Sequence, residues 1–161
     1  MTEPQQTPQT QTAVEAREFS EGDTPLVGIV MGSESDMPVM EKAGKELEQQ
    51  GISYEIQVMS AHRSPDLVAE YSKEARGRGL RVIIAGAGLA AALPGAVAAH
   101  TDLPVVGVPL TSSASVAGGL DALLAIAQMP PGVPVACVAV NGAHLGAGIA
   151  LDHGRRALRP R

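Results

Sequence analysis

Aromatic side chains are nearly absent. They make up 2% of 161 residues, with no Trp and a single Phe. A core must therefore be built from Val, Leu, Ile, Ala and Met, and there is little to stack on a flavin ring, which counts against an electron carrier of that type. Cysteine occurs once, at Cys137, so no intramolecular disulfide can form; in its apolar run it reads as a small buried hydrophobe. Positive charge is not in excess. The formal net charge is -5, and a nucleic-acid partner would want a basic face. Arg155, Arg156, Arg159 and Arg161 near the end suit a helix C-terminus and a soluble tail. No apolar run reaches the roughly eighteen residues of a membrane span, and no basic stretch followed by an apolar one opens the chain. The expectation is a soluble, cytoplasmic protein with no membrane partner. His62, His100, His144 and His153 are scattered, and none has ligand spacing with Cys or Asp, so no metal site is expected. The glycine turns lack the Gly-Lys-Ser/Thr ending of a P-loop, and Gly86-Ala87-Gly88 lacks the third glycine of a dinucleotide fingerprint. No cofactor is expected.

What is present is a regular alternation. Residues 1–24 are rich in Gln, Thr, Pro and Glu, the composition of a disordered or loosely attached tail. Residues 25–161 read as one domain. Continuously apolar runs predict strands at 26–31, 54–59, 81–85, 104–108 and 135–140, the pattern of strands buried on both faces. Between them, apolar positions at helical spacing predict helices at 38–50, from Pro65 to the Gly77 and Gly79 pair, at 93–100, 120–128 and 145–158. Pro38 and Pro65 fit the first helical turn, Ser64 is a good cap, and Gly51 ends the first helix. Gly86-Ala87-Gly88 reads as a turn, and 110–119, rich in Ser, Thr and Gly, as a mobile active-site loop. The order βαβαβαβαβα predicts an α/β fold: a three-layer, doubly wound parallel sheet, flavodoxin-like, with strand order 2-1-3-4-5. Ligands of such sheets bind beyond the C-terminal strand ends.

Polar and glycine residues collect at those ends. After the first strand come Gly32, Ser33, Ser35 and Asp36, followed by a helix whose free N–H groups suit an anion. The same pattern also occurs in a plain capped helix with no ligand. After the second strand come Ser60, Ala61, His62 and Arg63, and after the third Gly86, Ala87 and Gly88. Arg63 suits paired contacts to a phosphate, Ser33 and Ser60 add hydroxyls, and Asp36 suits a ribose diol. His62, beside this anion site, suits general acid–base work; a histidine satisfying a loop carbonyl is the bland alternative. Three loops meeting on one rim favour a small phosphorylated metabolite.

The motifs Met31-Gly32-Ser33-Glu34-Ser35-Asp36, Ser60-Ala61-His62-Arg63-Ser64-Pro65, Ala85-Gly86-Ala87-Gly88, Gly107-Val108-Pro109 and Gln128-Met129-Pro130 stand in order along the chain. Together they resemble the N5-carboxyaminoimidazole ribonucleotide mutases, the PurE family. The resemblance implies an isomerase of de novo purine biosynthesis that needs neither cofactor nor metal. It moves a carboxylate from the exocyclic nitrogen of an aminoimidazole ribonucleotide to ring carbon C4 by release and recapture of CO2, with His62 as proton shuttle. It implies that Ser33, Asp36, Ser60 and Arg63 hold phosphate and ribose, that Gly32 and Ala61 also bind substrate, and that Gly86, Ala87 and Gly88 lie against the base. It also implies a homo-octamer and functional coupling to an ATP-dependent carboxylating synthetase. The chain departs from the family pattern at Ala92, where a second histidine is usual, at Leu89 in place of a glycine, and in a lengthened 111–119 loop. His144 is a less favoured candidate to replace the lost imidazole. A carboxylase using CO2 and the free ribonucleotide, or a non-catalytic ribonucleotide-binding relative, are the alternatives.

Overall fold

The computed structural model of the protein describes residues 24–157. The tail expected before them, and Leu158 of the last expected helix, lie outside the described residues. In chain order the elements are β1 (Val27–Met31), α1 (Met37–Gln49), β2 (Tyr54–Val58), α2 (Pro65–Glu74), β3 (Val82–Gly88), α3 (Leu93–Ala98), β4 (Val105–Leu110), α4 (Leu120–Ala127), β5 (Ala136–Cys137) and α5 (Ala143–Ala157). Short 3-10 turns precede α1 at Glu34–Asp36 and α4 at Val116–Gly119. All strand pairs are parallel, in the order β2-β1-β3-β4-β5, so the expected topology is the observed one. Among the described residues no helix is long and apolar enough to cross a membrane.

Alternation along the strands feeds two cores, one on each face of the sheet. Ile29, Met31, Ile84, Val106 and Val108 pack against Met40, Ala43 and Leu47 of α1 and Ala147 and Ala150 of α5. Val30, Ile83, Ala85 and Val105 pack on the other face against Val68 and Tyr71 of α2, Leu93 and Val97 of α3, and Ala122 and Ile126 of α4. β1 thus has no exposed face; all five of its residues are buried. Near its N-terminal end, buried Glu55 of β2 receives both terminal nitrogens of Arg78, at 2.7 and 3.0 Å, and the Arg78 guanidinium lies 4.7 Å from the centre of the Tyr71 ring.

Several local expectations change. Gly86-Ala87-Gly88 is not a turn but the end of β3, paired with Val108, Pro109 and Leu110. Small residues are used there because neighbours come close: a Cβ on Gly86 would stand 2.8 Å from Met40 Cε, and one on Gly88 3.0 Å from the Leu110 carbonyl oxygen. The true turn follows, at residues 89–92. β4 also runs on to Leu110, through Pro109. A proline is tolerated because the Gly107 and Pro109 carbonyls face the β5 side, accepting from Val138 and Asn141 at 3.1 and 2.8 Å. β5 has ended at Cys137, so the missing N–H of Pro109 leaves no ladder bond unmade. β5 itself is two residues long rather than six, a short edge that resists pairing with another sheet. Ser64 precedes α2 without making a side-chain cap bond. The segment expected as a mobile loop makes bonds of its own, with the Ser115 hydroxyl accepting from Ser112 N–H at 2.9 Å and the Asp121 carboxylate from Val116 N–H at 3.0 Å.

Candidate active site

The C-terminal ends of β1 to β4 surround a cavity of about 360 Å³. Gly32, Ser33, Ser35 and Asp36 line it from β1, and Ser60, Ala61, His62 and Arg63 from β2. Ala87, Gly88, Leu89, Ala91, Ala92 and Leu93 line it from the end of β3 into α3, and Leu110, Thr111 and Ser112 from β4.

The β1–β2 wall is polar and internally braced. Ser33 caps the 3-10 turn, its hydroxyl oxygen accepting from the Ser35 N–H at 3.3 Å and the Ser35 hydroxyl at 2.9 Å. Both bonds use Ser33 as acceptor, which leaves its proton for a ligand. Ser60 is buried, and its hydroxyl accepts from the Arg63 N–H at 3.3 Å. Arg63 reaches across to donate from Nη2 to the Gly32 carbonyl at 2.6 Å, tying the two loops together. Its guanidinium has five N–H donors in all, so the bond to Gly32 leaves others for an anion. Asp36 is half-buried. Burial pushes its carboxyl above the usual carboxylate range, opposed by the Ser33 backbone bond and by the nearby charge of Arg63. His62 is exposed at the cavity edge, in the turn between Ser60 and Arg63.

The β3–β4 wall is largely apolar and strained. Leu89 and Ala91 both adopt left-handed backbone, at φ 55° and 41°, a region that costs a non-glycine residue about 1 kcal/mol or more. Strain of this kind persists where the surroundings over-determine it, often at ligand sites. Ala92 contributes a methyl group where a titratable side chain would change the chemistry of the wall. Thr111 and Ser112 are the polar exceptions, and Thr111 is bound to Asn141 through two hydrogen bonds.

The residues expected at the site therefore converge, with one difference. Gly32, Ser33, Asp36, Ser60, Ala61, His62, Arg63, Ala87 and Gly88 line the cavity. Gly86 does not; it is buried in β3, its open side turned to Met40 and Leu110. His144 is exposed on the first turn of α5 and does not line the cavity, so it does not stand in for the imidazole missing at Ala92. Thr111 and Ser112 line the cavity from the segment expected as an active-site loop, while Ala91 and Leu93 line it without any polar or charged group that would mark them in the sequence. Cys137 is half-buried on β5, away from the cavity, and burial raises its thiol pKa. Among the described residues no cluster of His, Cys, Asp and Glu can hold a metal ion.

The sequence profile of the family described as AIR carboxylase matches residues 26–154. The chain is 56% identical over 129 residues to the N5-carboxyaminoimidazole ribonucleotide mutase of Pyrococcus horikoshii, covering 80% of this chain and 72% of that protein. It is 60% identical over 119 residues to the protein of the same name from Thermotoga maritima, covering 74% and 68%. The crystal structure of Treponema denticola PurE superposes with a TM-score of 0.66 at 31% identity, covering 83% of this chain and 89% of that one. The order of strands, the rim that carries the cavity and these similarities agree, and the chain belongs to the AIR carboxylase family.

Proposed function

We propose that this protein is a 5-(carboxyamino)imidazole ribonucleotide mutase, converting N5-carboxyaminoimidazole ribonucleotide to 4-carboxy-5-aminoimidazole ribonucleotide in purine biosynthesis. The observation that carries the reading is the two-sided cavity: a braced wall of hydroxyls and Arg63 faces a dry wall of Leu89, Ala91, Ala92 and Leu93. The phosphate sits against Ser33, Ser60, Arg63 and the start of α1, where backbone N–H groups and the helix dipole favour negative charge. Asp36 accepts from the ribose hydroxyls. The base lies against Ala87, Gly88 and the 89–92 turn.

In the reaction the bond from the exocyclic nitrogen to the carboxylate carbon breaks and CO2 departs. The electron pair stays on the aminoimidazole and is delocalised to C4. C4 then attacks the same CO2, forming the carbon–carbon bond. His62 gives a proton to the exocyclic nitrogen and takes one from C4, so it ends as it began. The apolar wall supports the central step. A dry pocket holds released CO2 beside C4 as a concentrated reactant and limits its escape to water.

The same reading has the protein working as a cytoplasmic homo-octamer, supplied by an ATP-dependent synthetase that carboxylates the aminoimidazole ribonucleotide. Exposed Leu120 and Leu124 on α4 and Leu145 and Ile149 on α5, each pair one helical turn apart, support association of copies. The deciding experiment is turnover of N5-carboxyaminoimidazole ribonucleotide by purified protein, with and without bicarbonate, beside His62→Asn. Conversion independent of bicarbonate that collapses in the variant is expected. Conversion only of free aminoimidazole ribonucleotide plus bicarbonate would make the protein a carboxylase, and ligand binding without any conversion would make it a binding relative.

A further inference from the structure

Asn141 is outside the cavity, yet it is held in left-handed backbone at φ 57°. Asparagine tolerates this region better than other non-glycine residues but still sits there for a reason. Its side chain reaches back 30 positions to Thr111, the first residue after β4 and a lining residue of the cavity. The Asn141 Oδ1 accepts from the Thr111 backbone N–H at 3.1 Å, and the Nδ2 donates to the Thr111 hydroxyl oxygen at 2.8 Å. A third bond, from the Asn141 N–H to the Pro109 carbonyl at 2.8 Å, holds the asparagine itself against β4.

The direction of these bonds is fixed by elementary chemistry. A backbone N–H can only donate, so the amide atom facing it is the oxygen. The other amide atom is then the nitrogen, which can only donate, so the Thr111 hydroxyl must accept. The hydroxyl proton is left over, and among the described residues it meets no acceptor. The methyl side of Thr111 is fixed as well: a Cβ on Gly119 would stand 2.7 Å from Thr111 Cγ2, so that glycine leaves room for it. Thr111 is thus a residue of the cavity lining whose hydroxyl oxygen is occupied, whose rotation is restricted and whose proton is unused.

We propose that Thr111 is a further ligand-binding residue, donating its hydroxyl proton to the carboxylate of the bound ribonucleotide, and that Asn141 is the residue that positions it. This rests on the mutase reading for the identity of the ligand. The placement follows from strand order. The phosphate-side residues belong to the β1 and β2 loops, β3 intervenes, and Thr111 follows β4. Thr111 therefore stands on the base side, where Leu89, Ala91 and Ala92 offer no side-chain donor and the neighbouring Ser112 hydroxyl, unlike that of Thr111, is not held by Asn141. A carboxylate on the base needs one there, and a bond from a neutral hydroxyl to a carboxylate is charge-assisted.

The test is calorimetric titration of the full chain with two probes: 4-carboxy-5-aminoimidazole ribonucleotide, and 5-aminoimidazole ribonucleotide, which lacks the carboxylate. Wild-type protein is expected to bind the carboxylated probe more tightly. Thr111→Val should lose roughly tenfold for that probe and nothing for the other, whose unchanged binding shows that the variant is folded. Thr111→Ser should recover most of the loss. Asn141→Gly, which accepts the left-handed backbone but removes both side-chain bonds, should weaken the carboxylated probe several-fold. Adding it to Thr111→Val should cost nothing more, because Asn141 acts through Thr111. Equal loss for both probes, additive losses, or wild-type affinity in Thr111→Val overturns the inference and leaves the mutase reading standing. Wild-type protein that binds neither probe overturns both.

Discussion

Gly32 is the position at which fold and function separate most cleanly. A Cβ built on it meets nothing within 4 Å, and its backbone is not in the left-handed region. It lines the cavity, at the end of β1, and only its carbonyl is engaged, by Arg63. Replacing it with alanine should therefore do no harm to the fold. Removing a glycine from a compatible position stabilises by about 0.4–1 kcal/mol through the unfolded chain, which for a domain of this size raises Tm by about 1–4 °C. On the mutase reading, however, the ligand fills the cavity that Gly32 lines, and an added methyl group would crowd it. Overpacking a closely fitted contact costs about 1–3 kcal/mol, equivalent to a roughly 5- to 150-fold weaker Kd. Thermal unfolding and steady-state KM for N5-carboxyaminoimidazole ribonucleotide, measured on the same preparation, read both effects. A Gly32→Ala protein with KM within twofold of wild type would show that the ligand does not approach the β1 turn. A clear drop in Tm would show that the turn needs glycine for its own conformation.

Gly86→Ala should do the reverse. Its Cβ would stand 2.8 Å from Met40 Cε and 3.1 Å from Leu110 Cδ1 inside a core where Met40 is fully buried, so stability should fall by about 1–3 kcal/mol in a urea titration. Ala117 is exposed and lies at φ 46°; Ala117→Gly relieves that strain without losing packing, and a gain of roughly 0.5–1 kcal/mol is expected in the same assay. Asp36→Asn should raise Tm at neutral pH while weakening ribonucleotide binding. The folded pKa of Asp36 is raised by burial, so its favourable contribution is full below the ordinary carboxylate pKa and is lost as pH rises; the advantage of the variant should accordingly vanish in a melting series taken down to about pH 3. Tyr71 has its pKa raised, first by burial and then by the charge of Glu55, and among the described residues its hydroxyl makes no hydrogen bond of good geometry. Stability should hold up to about pH 10 and decline above it, and Tyr71→Phe should be near neutral at pH 7 and flatten the alkaline decline.

The sequence by itself determined the topology, and the reason is periodicity. Five apolar runs too short for helices, separated by amphipathic stretches with Pro38 and Pro65 at their starts, leave a parallel sheet wrapped by helices as the way to bury every strand on both faces. It also determined the polar wall. Ser33 to Asp36 and Ser60 to Arg63 are local clusters that directly follow predicted strands, so placing the strands placed the clusters on the rim. Tertiary structure decided what depends on distance between segments. Gly86-Ala87-Gly88 looks like a turn because small residues mark turns, but here they mark close approach, to Met40 from α1 and to Leu110 from β4, and neither neighbour can be read from the tripeptide. The length of β5 also depended on tertiary structure: β4 runs on to Leu110, but only Val106 and Gly107 of it pair with β5. The Thr111–Asn141 pair is separated by 30 positions, and neither residue carries a local signal of the other. Only the sheet, by setting the end of β4 beside the entry to α5, brings a cavity-lining threonine and a strained asparagine into contact.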